Sequence, residues 1–168
     1  GIILRKAHPP HGVQVIMRKT LGYLVHRATI LRANSLSFEE LCEFLQPVSD
    51  WSTYEFIFVS HRWLHHDRPD NEFQTMADTL RLYASSFTKI KHYWIDFCCL
   101  PFECQERKIL TMQMPTILAQ ASKFLIVPLS SSSESLIPTS SLQEYCFRAW
   151  CALEYAMMMH RLQDAILV

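Results

Sequence analysis

An α/β fold built on a doubly wound parallel sheet, flavodoxin-like in plan and carrying an N-terminal helical extension, is what this sequence predicts. Three observations predict it. From residue 54 onward, short aromatic and β-branched runs alternate with amphipathic stretches of a dozen or more residues. The runs are apolar throughout, as strands covered on both faces are. The chain of 168 residues, 49% of them hydrophobic, is long enough for one domain with a sizeable core and an appendage.

The elements follow in order. From Val13 to about Arg32, Val13, Ile16, Met17, Leu21, Leu24, Val25 and Ala28 recur at helical spacing. SFEELCEFL (37–45) opens a second helix, with Ser37 three places before Glu40 as a capping box. Pro47 and the polar SDWST then place a boundary near residue 50, dividing a helical segment (1–50) from a sheet domain (51–168). YEFIFVS (54–60) reads as the first strand and residues 71–87 as a helix with Phe73, Met76, Leu80, Tyr83 and Phe87 along one stripe. HYWIDF (92–97) is the second strand. The helix after it is predicted to break at Pro115. KFLIVPL (123–129) is the third strand, Ser130 to Ser141 a polar loop, QEYCFRAWCALEYAMMMH the last helix and DAILV the start of a fourth strand.

Composition removes several classes of function. Sixteen basic and sixteen acidic residues give a net charge of zero with no basic stripe, which argues against nucleic acid or an anionic membrane surface. Apolar runs such as FLIVPL fall far short of the roughly 20 residues of a membrane span, and GIILRKAHPPHG is no signal peptide. A cytoplasmic protein is expected, and the start without Met and the end at DAILV fit a piece of a longer one. Six cysteines at irregular spacing form neither a secreted disulfide framework nor paired zinc knuckles. Only three glycines occur, none after Gly22, so neither a P-loop nor a GxGxxG turn exists.

One residue breaks the packing pattern. At about 3.6 residues per turn, Phe147, Trp150, Cys151, Met157 and Met158 fall on the same side of the last helix as Glu154. A carboxylate on an apolar face loses hydration unless paired, hydrogen bonded or protonated, so it is either a structural pair with Arg62 or Arg148, or a working group. In wound sheets ligands bind outside the carboxyl ends of the strands. Those ends carry Ser60, His61, Arg62 and Trp63, then Asp96 with Cys98 and Cys99, then the serines from Ser130. Asp96 reads as a rim residue, either capping the next turn or pairing with Arg62. Trp150, one turn before Glu154, offers a flat surface for an aromatic ring, or simply packs. A zinc site from His61, His65, His66, His92, Cys98, Cys99 and Cys104 needs HRWLHHD to be helical, and its position after a strand makes it a loop. A thiol nucleophile, Cys98 or Cys151 with His61, lacks a local signature.

YEFIFVSHRW resembles the first box of Toll/interleukin-1 receptor (TIR) domains, HYWIDFCCLPFECQERK their second strand and loop, and RAWCALE the WCxxE signature on the helix after the third strand. The resemblance covers about 51–168 and is nearest to a divergent TIR-like group; the loop after the second strand departs from the family in having Pro101 without a glycine. It implies two kinds of activity. Some TIR domains are non-catalytic modules that self-associate within signalling proteins; others cleave NAD at the nicotinamide–ribose bond through the glutamate of WCxxE, here Glu154. The resemblance therefore implies NAD as substrate, no further cofactor and no metal, self-association as the partner mode, and a setting in immune or cell-death signalling. Ser60, His61, Arg62, Trp63, Asp96, Trp150 and Cys151 are expected to line the nucleotide site, with Arg62 near the pyrophosphate. A third reading, a regulator that holds an NAD-like ligand without cleaving it, also fits this lining.

Overall fold

The computed structural model describes residues 20–61, 75–101, 105–127, 146, 149–161 and 165–167. Four strands run parallel: β3 (Phe56–His61), β4 (His92–Ile95), β5 (Lys123–Val127) and β6 (Ala165–Leu167). Two more, β1 (Gly22–His26) and β2 (Leu45–Val48), add antiparallel strands beside β4. The order is β2-β1-β4-β3-β5-β6. The chain leaves β3 for β4 on one side and returns past it to β5 and β6, so the winding reverses between β3 and β5. The fold is the α/β, doubly wound arrangement that the alternating runs predict.

The helices are α1 (Arg27–Arg32), α2 (Phe38–Leu41), α3 (Thr75–Ser86), α4 (Asp96–Cys99), α5 (Gln105–Met112), α6 (Met114–Gln120) and α7 (Ala149–Arg161). None among the described residues is long and apolar enough to cross a membrane. Pro115 sits in the first turn of α6, where a missing N–H costs nothing, and the break between α5 and α6 falls just before it. Ser37 caps α2 through the Glu40 N–H at 3.3 Å, as its capping box predicts.

Side chains alternate along a strand, so Phe56, Phe58 and Ser60 share one face of β3, and Ile57, Val59 and His61 the other. Register aligns Trp94, Phe58 and Phe124 across three strands. Their rings stack, with centroids 4.6 Å and 5.6 Å apart. α6 and α7 cover this aromatic row through Met114, Leu118 and Met157. α3 lies on the other face, where Tyr83 stands near Tyr93, and Arg27 of α1 donates to the Ala84 carbonyl.

Two expectations need correction. The helix predicted over residues 13–32 is, within the described part, a strand over Gly22–His26 and a helix only from Arg27; residues 13–19 lie outside the described residues. Nor do the described residues before 50, from 20 on, stand apart as a helical appendage. β1 pairs with β4, placing Val25 opposite Tyr93, and Pro47 is accepted because β2 is an edge strand. The physical cause is burial: Leu24 and Val25 are wholly buried, one on each side of the sheet, where a helix would keep them on one stripe.

Gly22 opens β1 at φ +157°, and a Cβ there would come within 2.7 Å of the Trp51 ring. Trp51 is buried against Phe56 and has little room to retreat. Gly22→Ala is expected to lower stability by about 2 kcal/mol, read as a lower urea midpoint at unchanged slope.

Candidate active site

β3 ends at the reversal of the winding, and its last two residues are both polar and buried: Ser60 and His61. The alternation that directs Phe58 toward α7 directs Ser60 there too. Ser60 Oγ donates a hydrogen bond to Glu154 Oε2. The Trp150 side chain, one turn back on α7, lies close enough to the same carboxyl to favour its ionised form.

Glu154 is 6% exposed, on the buried side of α7 with Cys151 and Met158. Trp150 and Leu153, 45% and 48% exposed, flank it at the rim. Burial pushes the Glu154 carboxyl up to about 7 from an ordinary 4.5. The Ser60 hydrogen bond opposes that rise, the nearby Asp96 charge adds to it, and the His61 charge and Trp150 pull it back. A carboxyl in this range exchanges its proton near neutrality, which an ordinary surface glutamate does not.

His61 lies beside Ser60 and is held from two sides. Its Nε2 is 2.6 Å from Asp96 Oδ1, and its ring meets Phe97 edge to face at 5.1 Å. Its backbone carbonyl accepts from Cys151 Sγ at 3.7 Å, which fastens α7 to the end of β3. Asp96 also accepts from the Phe97 N–H at 2.7 Å. It therefore stands in the first turn of α4, bonded to the adjacent N–H, and holds His61 as well.

The structure thus brings together Ser60, His61, Asp96, Trp150, Cys151 and Glu154. Arg62, Trp63, Arg148 and the serines from Ser130 lie outside the described residues. The Ser60–Glu154 bond and the His61–Asp96 pair are contacts that the sequence alone did not reveal. The alternation of Phe56, Phe58 and Ser60 was a usable signal for the first, since it aims Ser60 at the same helix as Phe58.

The cysteine readings find little support. Cys98 Sγ donates to the Leu36 carbonyl at 3.1 Å, and burial raises its thiol well above the ordinary range. Cys151 is held by the main chain of His61. His65, His66 and Cys104 lie outside the described residues, and among the described residues no three His, Cys, Asp or Glu side chains are placed to share a metal ion.

A crevice between α6 and α7 reaches Glu154 past Met114 and Leu153, with room for about one water. A dinucleotide does not fit this crevice. No protein-family model, curated protein or solved structure matches the chain, which leaves the geometry around Glu154 to carry the functional reading.

Proposed function

We propose that this chain is a TIR-like domain that cleaves NAD at the nicotinamide–ribose bond, with Glu154 as its catalytic carboxylate. The observation that carries the reading is a buried acid, raised to about 7 and hydrogen bonded by Ser60, beside the reversal of a wound sheet. The WCxxE sequence of residues 150–154 agrees with it.

The chemistry suits a lone carboxylate. Nicotinamide in NAD is a pyridinium, so when the bond from ribose C1′ breaks, the electron pair neutralises the ring nitrogen and nicotinamide departs without a proton. The ribose is left as an oxocarbenium ion. A fixed anion in a poorly hydrated site stabilises that charge most where it develops. Water then adds at C1′ and loses a proton, or a ring nitrogen of the same nucleotide closes a cycle. Ser60 holds the carboxylate through its hydrogen bond. Ser60, His61, Arg62, Trp63, Asp96, Trp150 and Cys151 make up the proposed nucleotide lining.

Activity is proposed to depend on self-association, in the cytoplasm, within immune or cell-death signalling. Nicotinamide release measured over a range of protein concentrations tests this. Release should rise more steeply than linearly with protein; a folded, assembled protein that releases none would remove the enzyme reading.

One observation favours a second reading, a non-catalytic interaction module. Glu154 is nearly covered and already accepts a hydrogen bond from Ser60, as a structural acid does. That reading expects Glu154→Gln to weaken the fold and no activity to be lost.

A further inference from the structure

We propose that His61 and Asp96 form a paired counter-charge that sets the protonation of Glu154, making both of them positioning residues for the reaction proposed above. Its catalytic consequence rests on that reading; its electrostatic content does not.

The geometry places the pair beside the acid. Register sets Val59 opposite Ile95, so Ser60 and Asp96 are the next residues along at the ends of two adjacent strands. Ser60 bonds Glu154, and His61 follows Ser60 directly. The helix that carries Glu154 is tied to His61 through Cys151. Among the described residues, the groups that act on the carboxyl are Ser60 and His61 from β3, Asp96 from the head of α4 and Trp150 from its own helix; α6 presents the uncharged Met114, Pro115 and Leu118. From the ends of these two adjacent strands the charges of Asp96 and His61 both act on the Glu154 carboxyl.

Two like charges that act on one another where one of them is buried do not both ionise freely. The His61 side chain is 1% exposed and that of Asp96 22% exposed, so solvent screens this pair weakly. A protonated His61 at 2.6 Å cancels the Asp96 charge and lets Glu154 ionise. Take the imidazole away and the Asp96 carboxylate opposes the second negative charge. Take the Asp96 charge away and the imidazolium favours it. A pair that merely braced the turn at Phe97 has no reason to act in opposite directions on Glu154.

The test is a titration of the Glu154 side-chain carboxyl by carbon-13 NMR, assigned with Glu154→Gln, in the wild type, His61→Gln, Asp96→Asn and the double variant. His61→Gln is expected to move the midpoint up by about one pH unit, and Asp96→Asn down by about the same. The double variant should return toward the wild type. Midpoints that stay put, or that move in the same direction in both single variants, overturn the inference. If His61→Gln does not fold, Asp96→Asn alone carries the sign, because bracing lost without charge removed gives no downward shift. The pH profile of nicotinamide release should move with the midpoints. Midpoints that shift as expected with no release from any protein uphold the charge pair and count against NAD cleavage alone.

Discussion

Glu154→Gln is expected to be more stable than the wild type at pH 8, with the difference closing by about pH 4. The folded carboxyl titrates near 7 and an unhindered one near 4.5, so between these values the folded state binds the extra proton. The stability of the protonated acid is fully present below 4.5 and is lost as pH rises through about 7. At about 1.4 kcal/mol per unit, that interval amounts to about 3 kcal/mol. Glutamine keeps an acceptor for Ser60 without the charge, so the loss disappears. In a domain of this size the gain corresponds to about 6–12 °C in Tm, measurable by thermal unfolding at the two pH values. A variant that is less stable at pH 8 would mean that a cation holds the carboxylate, which is the structural reading.

Nicotinamide release by the wild type is expected to fall about tenfold for each pH unit below about 7 and to level off above it, because only the ionised carboxyl stabilises the oxocarbenium ion. The direction follows from the raised value: protonation removes the charge the reaction uses. Glu154→Gln should lower release by about 100- to 1,000-fold above about pH 7 and erase the limb below it. A steady-state profile from pH 5 to about pH 9 reads both effects. A wild-type profile that is flat through neutrality would detach the reaction from Glu154.

These two expectations pull against each other in a way that is informative. A residue retained for the fold is one whose neutral replacement weakens the fold. Glu154 has the opposite character: its ionised form is unfavourable where it sits, and burial is the largest cause. Groups held at such a cost are commonly found where chemistry needs them.

Much of the fold was legible because each element obeyed one period. The apolar runs at 56–61, 92–95 and 123–127 could only be covered strands, and Pro115 marked the break between α5 and α6. β1 was not legible because Leu21, Leu24, Val25 and Ala28 satisfy helical spacing by coincidence. Leu24 and Val25 face opposite sides of a strand, and Ala28 belongs to the helix after it. Gly22 and the His26 side chain, which accepts from the Ala28 N–H at 3.1 Å, mark the true boundaries, but histidine is an uncommon cap. β2 was hidden by Pro47, which reads as a boundary until the strand is known to be an edge.

For the site, Glu154 announced itself, because a charge on an apolar stripe violates a local rule that a sequence displays. Its partner did not. Ser60 lies 94 residues away, and the His61–Asp96 contact depends on the register of β3 against β4. Contacts of that range follow from topology, which the local pattern constrains only loosely.

The most direct test of Glu154 as the catalytic carboxylate is nicotinamide release from NAD at pH 8, measured side by side on assembled wild type and on Glu154→Gln shown to be folded. The account expects release from the wild type and almost none from a variant that is the more stable of the two. Equal release from both proteins, or none from the wild type, would contradict it.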